Sequence, residues 1–152
     1  MSKIEIACFN PESAIIAFEN GADRIELCDG LSEGGTTPDF EIVKRLREKI
    51  NIPIFVMARP RGGDFTYTDE EFEQMKSDLV QLKSLNVDGF VFGILDENDE
   101  VNIEHNKTLV ELAKPLPCTF HRAFDRAKDL ENSLEKVIEC GFTTILTSGQ
   151  KP

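Results

Sequence analysis

Short apolar runs alternate with longer amphipathic stretches along the whole chain. The runs at Ile4–Cys8, Arg24–Cys28, Ile54–Arg59, Gly89–Gly93, Pro117–Arg122 and Thr144–Thr147 are rich in Ile, Val, Leu or Phe. That composition is expected of strands covered on both faces. The stretches between them carry helix signals. Asn10-Pro11 and Thr37-Pro38 each set a capping residue before a proline at the first helical position. Thr68-Asp69-Glu70-Glu71 fits a capping box, and Phe72, Met75, Leu79 and Leu82 then follow at the spacing of one apolar stripe. Further helices are expected from near Val101 to Ala113 and from near Leu130 to Cys140. Gly21, Asn86 and Gly141 sit where a helix must stop before the next strand, in the position of a left-handed cap.

Strand–helix alternation of this kind predicts an α/β fold with a parallel sheet. An open sheet flanked by helices needs both faces of its strands apolar. Here alternate positions are polar: Arg24, Glu26 and Cys28 on the second strand, Thr119 and His121 on the fifth. A polar inner set suits the interior of a (β/α)₈ TIM-type barrel near its mouth. Such barrels take ~250 residues, whereas this chain has 152. The expectation is therefore a single partial barrel domain over residues 1–152, with about six βα units present. Its two outermost strands would expose unpaired edges and apolar flanks, which predicts a homo-oligomer, aggregation or a partner supplying the rest. A chain of this form could also be inactive.

Charge narrows the partners. Lys and Arg total 17 against 28 Asp and Glu, a formal net charge of −11. Nucleic-acid backbones and anionic membranes call for the opposite balance, so neither is expected as a partner. A local arginine cluster can still invert the field inside one cleft and admit a small anion. No run approaches the ~20 apolar residues of a membrane span, and the start Met1-Ser2-Lys3-Ile4-Glu5 lacks the basic-then-apolar pattern of a secretory signal. Cys8, Cys28, Cys118 and Cys140 are scattered, unlike a dense disulfide framework. A cytoplasmic protein is expected.

In a barrel the chemistry gathers at the C-terminal strand ends and the loops after them. Those positions hold Cys28 to Thr36, Arg59-Pro60-Arg61-Gly62-Gly63-Asp64, His121-Arg122-Ala123-Phe124-Asp125 and Thr147-Ser148-Gly149. Arg59 and Arg61 with Gly62 and Gly63 make a plausible anion cradle, because guanidinium forks bind carboxylate or phosphate and glycines let backbone N–H groups approach. Ser148 and Gly149 could add to it. Arg59 could equally pair with Glu26 and fill the barrel. His121 falls on a mouth-facing position, and Asp125 four residues on could orient it for acid–base work. A buried, hydrogen-bonded structural histidine is the alternative. His105, in an expected surface helix, is assigned nothing. No lysine stands at a strand end, so Schiff-base chemistry has little support.

Several longer runs resemble the CutC copper-homeostasis family. They are Gly21-Ala22-Asp23-Arg24-Ile25-Glu26-Leu27-Cys28, Leu31-Ser32-Glu33-Gly34-Gly35-Thr36-Thr37-Pro38, Arg59-Pro60-Arg61-Gly62-Gly63-Asp64-Phe65, Thr119-Phe120-His121-Arg122-Ala123-Phe124-Asp125 and Leu146-Thr147-Ser148-Gly149. They span essentially the whole chain in order. The resemblance implies a cytoplasmic, often oligomeric barrel protein tied to copper handling, and members that continue past Ser148-Gly149. Copper then becomes a candidate ligand, since Cu(I) prefers thiolate and thioether donors. Cys28 is the leading candidate and Cys8, ending the neighbouring strand, the second; Met57 could offer a thioether. Alternation sets Cys8 toward the helices if Ala7 faces inward, and the cysteine that some family members carry at the position of Ala7 is missing here. Plain packing is the alternative for each cysteine, above all for Cys118 and Cys140. Two functions therefore stand side by side. One is a Cu(I)-binding homeostasis protein. The other is a barrel enzyme acting on a small anionic metabolite through Glu26, Arg59, His121 and Asp125, with Arg61, Gly62, Gly63, Ser148 and Gly149 as further anion contacts.

Overall fold

In a computed structural model describing residues 1–150, the six apolar runs form one parallel sheet whose strand order follows the sequence. The strands are β1 (Glu5–Cys8), β2 (Arg24–Leu27), β3 (Ile54–Met57), β4 (Gly89–Phe92), β5 (Cys118–Phe120) and β6 (Thr144–Ile145). Between them lie α1 (Pro11–Glu19), α2 (Phe40–Lys49), α3 (Asp69–Lys83), α4 (Ile103–Ala113) and α5 (Leu130–Cys140). Each strand pairs only with its sequence neighbours, so the sheet curls as a half-barrel with helices outside. The (β/α) barrel class expected from strand polarity is the one found.

The helix ends show how local chemistry sets the elements. Asn10 accepts a hydrogen bond from the Ser13 N–H at 2.8 Å with Pro11 opening α1. Thr68 and Glu71 complete both halves of the expected capping box on α3. The Thr37-Pro38 signal is corrected by the structure: α2 starts two residues later than expected, capped by Asp39, which accepts from the N–H groups of Glu41 and Ile42. Thr37 is engaged elsewhere. Its hydroxyl donates to the Arg59 carbonyl and accepts from the Arg59 N–H, tying the loop after β2 to the end of β3. α4 likewise begins at Ile103 rather than near Val101, because Asn102 takes the cap by accepting from the His105 N–H. Gly21, Asn86 and Gly141 all adopt positive φ (88°, 59° and 93°), as the caps before a strand require.

Period-two alternation divides the strands between two environments. Cys8, Ile25, Leu27, Ile54, Val56, Phe90, Phe92 and Cys118 point outward into one large core. There they meet the inner stripes of the helices, among them Phe72, Met75, Leu79 and Leu82 of α3, all buried. The inner face is different. Phe55, Met57, Val91 and Cys28 form a small apolar cluster with Phe9, and Glu26, Arg59, Thr119 and His121 are buried among or beyond them. At the N-terminal end of the barrel Arg24 pairs with Glu5 and lies over the Phe55 ring, 4.1 Å from its centroid. That layer closes the floor and leaves the chemistry at the opposite end.

Candidate functional site

Beyond the C-terminal strand ends lies a cavity of about 300 Å³, reached by Glu26 from β2, Met57 and Arg59 from β3, and His121 from β5. Ala7, Phe9, Phe65 and Leu146 supply apolar walls. A second cleft of about 360 Å³ shares Gly34, Arg59, Phe65 and Arg122 with it and adds Glu33, Gly63, Asp125, Arg126 and Gln150. The inner cavity thus brings together three of the expected site residues, Glu26, Arg59 and His121.

Arg59 is fixed by backbone carbonyls. Its Nη1 donates to the carbonyls of Glu33 (2.8 Å) and Gly35 (3.0 Å), and its Nη2 to that of Gly63 (2.9 Å). The guanidinium lies over Phe65, 4.7 Å from the ring centroid. Its Nε is buried without a hydrogen-bond partner. So Arg59 is held by the loops, not by Glu26, and one donor is left over.

His121 is 4% exposed, and its ring lies 4.9 Å from that of Phe65 at a tilt of 55°. Its Nδ1 accepts from the Ala123 N–H at 3.2 Å, while Nε2 has no partner. Burial first, and then the Arg59 charge, pull its pKa down to about 3. The imidazole is therefore neutral at physiological pH. Gly93 permits this position, because a Cβ there would come within 2.9 Å of Nδ1.

Glu26 is 4% exposed. Burial raises its carboxyl to about 6, with Glu5 adding to the rise and the Cys28 thiol and Arg24 opposing it. The Cys28 thiol donates to Glu26 Oε1 at 3.6 Å, and burial together with the neighbouring carboxylate keeps that thiol protonated. Cys28 also borders Gly35. A Cβ at Gly35 would lie 3.3 Å from Met57 Cε, 3.4 Å from Cys28 Sγ and 3.5 Å from Phe9. The Cys28 thiol and the methyl end of Met57 thus both border a residue that has no side chain.

Other expected site residues are placed elsewhere. Cys8 is next to Cys28 through the backbone, where the Cys28 N–H donates to the Cys8 carbonyl. Its thiol belongs to the outer core and donates to the Ile6 carbonyl, so the two sulfurs lie on opposite faces of the sheet. Arg61 grips Glu71 with two hydrogen bonds (2.5 and 3.1 Å) and Asp64 with a third (3.1 Å). The Gly62 N–H donates to the Glu33 carboxylate. Neither Arg61 nor Gly62 lines either cavity, whereas Gly63 lines the outer one and gives its carbonyl to Arg59.

Asp125 does not orient His121. It accepts from Arg122 Nε (2.8 Å), Thr147 Oγ1 (2.5 Å) and the N–H groups of Ser148 and Gln150. Burial pushes its carboxyl upward, but Arg122, Thr147 and the backbone donors outweigh that and hold it far below the ordinary range. Ser148 and Gly149 direct their N–H groups at Asp125 and Thr147. Asp125 is thus a latch between the loops after β5 and β6. Glu33 and Phe65 are the lining residues that sequence reasoning passed over. Both fall inside the quoted motifs, and only the loop path shows that they face Arg59. Among the described residues, no three His, Cys, Asp or Glu side chains are grouped to hold a metal ion, and no helix is long and apolar enough to cross a membrane.

The CutC family profile matches residues 2–152. A human protein named copper homeostasis protein cutC homolog is 48% identical over 146 residues, covering 96% of this chain and 54% of that protein. A family protein CutC of Proteus mirabilis is 44% identical over 151 residues, covering 99% of this chain and 60% of that protein. The chain therefore spans little more than half the length of these curated relatives. The crystal structure of a putative copper homeostasis protein CutC from Streptococcus agalactiae superposes with a TM-score of 0.93 at 34% identity, covering 99% of this chain and 74% of that one. A phosphoenolpyruvate phosphomutase from Streptomyces platensis shares the fold at 12% identity, with a TM-score of 0.66 over 97% of this chain and 60% of that one.

Proposed function

This chain belongs to the CutC family, and from that premise we propose that it serves copper homeostasis by holding Cu(I) on the inner face of its half-barrel. The observation supporting this is that Cys28 Sγ and Met57 belong to one inner cluster and both border Gly35, with Glu26 accepting from the thiol. Cu(I) is soft and accepts low-coordinate sulfur sites. Binding replaces the thiol proton, since the metal ligand is the thiolate. Glu26 already accepts the Cys28 hydrogen bond and takes that proton as the Cu–S bond forms. Buried thiols hold protons tightly, so uptake strengthens as pH rises. Four buried cysteines without disulfides support a reducing, cytoplasmic setting.

Anaerobic Cu(I) titration against a competing chelator tests this. Cys28→Ser is expected to weaken binding at least ~tenfold and Met57→Leu by less, while Cys118→Ser leaves it unchanged. Wild-type affinity in Cys28→Ser would remove Cys28 as the ligand.

A second reading rests on a separate observation: Arg59 and His121, which line a cavity together with Glu26, each keep a buried nitrogen, Nε and Nε2, without a partner. Convergent polar groups in a small, mostly apolar pocket suit an enzyme acting on a small anionic metabolite. Glu26, at about 6, is then the group that exchanges protons with the ligand.

A further inference from the structure

The hydrogen bonds of His121 fix its tautomer. Nδ1 accepts from the Ala123 N–H, so in a neutral ring the proton sits on Nε2. A neutral ring is what burial and the Arg59 charge impose. His121, which lines the cavity, therefore carries an N–H without an acceptor and has no free lone pair with which to act as a base. Arg59 presents the same kind of group, because its Nε–H is its buried unpartnered donor. Both side chains are 4% exposed and both pack on Phe65, which holds them side by side. A buried donor without an acceptor costs about 1–3 kcal/mol. Two such donors on residues that line one cavity mark the place of an oxygen.

We propose that Arg59 Nε–H and His121 Nε2–H form a two-donor subsite for the oxygens of a small carboxylate, with His121 a hydrogen-bond donor and not a general base. The proposal rests on the second reading above and names its ligand class. Three features select a carboxylate. The cavity holds about 300 Å³, at the small end of the ~300–1,000 Å³ typical of small-molecule sites. Of the two guanidinium groups that line it, Arg122 is paired with Asp125, so the charge left for a ligand is that of Arg59, which matches a monoanion; a phosphate dianion would be left under-neutralised beside Glu26. Two N–H donors and apolar walls from Phe9, Phe65 and Leu146 suit a planar two-oxygen group on a short carbon chain. His121 cannot act as a base without surrendering the Ala123 hydrogen bond.

The test pairs spectroscopy with binding. In the imidazole-¹⁵N-labelled chain, His121 is expected to show the Nε2–H tautomer unchanged from pH 5 to 8; an Nδ1–H tautomer or a titration in that range overturns the proposal. Acetate, propionate and pyruvate are then titrated calorimetrically, with inorganic phosphate as comparator. Carboxylate binding is expected to weaken about 10- to 100-fold in His121→Phe. It is expected to survive in His121→Gln, whose amide N–H can occupy the place of Nε2–H. Tighter binding of phosphate than of every carboxylate, or indifference to His121→Phe, overturns the subsite and leaves the second reading standing. Failure of wild type to bind any of the four, with the Nε2–H tautomer intact, overturns both. Thermal unfolding of each variant confirms that binding is read on folded protein.

Discussion

The two faces of the sheet use the same strands for opposite purposes. On the outer face, Cys8, Ile25, Leu27, Val56, Phe90, Phe92 and Cys118 are sealed against helices in one continuous core. On the inner face, one residue away along each strand, a small apolar cluster adjoins Glu26, Arg59, Thr119 and His121. Three of those polar residues hold a buried atom without a partner. None of the outward-pointing strand residues does, so along the strands the outer face is satisfied and the inner face is not. Cysteine shows the difference most directly. Cys8 and Cys28 sit at the ends of adjacent strands, yet Cys8 is packing material and Cys28 is a proton-donating neighbour of a carboxyl group. Stability should therefore reside outside and chemistry inside, and substitutions on the two faces should part company.

The largest effect belongs to the outer face. Phe90 has no exposed surface and lies in the helix-facing core. Phe90→Ala removes its packing and leaves a cavity, at an expected cost of about 3–5 kcal/mol in urea unfolding. A loss under about 1 kcal/mol would mean that the outer core is not the stabilising layer.

A smaller effect, of opposite sense, comes from Glu26. Its folded-state pKa stands near 6 against an ordinary 4.5, so the folded protein binds this proton more tightly than the unfolded chain. Stability contributed by the neutral form is full below about pH 4.5 and is lost as pH rises through about 6. The shift corresponds to about 2 kcal/mol. Urea midpoints taken from pH 4 to 7 should fall across that window in wild type. In Glu26→Gln that share of the decline should vanish, leaving the variant the more stable at pH 7. Equal slopes in the two proteins would show that Glu26 is solvated or paired after all.

Much of the comparison is legible in the sequence because period-two alternation is a local property. The parity of Glu26 with Cys28, and of Thr119 with His121, places them inside the barrel before any coordinates are known. Parity likewise puts Cys8 on the other face. Partner choice across loops is not legible in this way. Arg61 resembles a ligand-binding fork until Glu71, ten residues on, occupies it. Asp125 resembles the partner of His121 until Thr147, Ser148 and Gln150 return from β6 to claim it. Both are charged groups on flexible connections, whose nearest opposite partner depends on the loop path. Thr37 and Asp39 flank one proline, and the choice of helix cap between them was settled by Arg59, 22 residues from Thr37.

The smallest effect gives the finest test. Thr119 is 1% exposed on the inner face, and its hydroxyl has no hydrogen-bond partner. Val has nearly the same shape without the hydroxyl. On an outer strand position such a change would alter little, since nothing there is unsatisfied. Here Thr119→Val removes a buried, unpaired polar group and should raise stability by about 1 kcal/mol. Cu(I) binding should be unaffected, because Thr119 does not line the cavity. A stability loss of that size would instead mean that an ordered water satisfies the hydroxyl. The inner face would then be as complete as the outer one, and unpaired atoms there would no longer distinguish a working surface from a packed one.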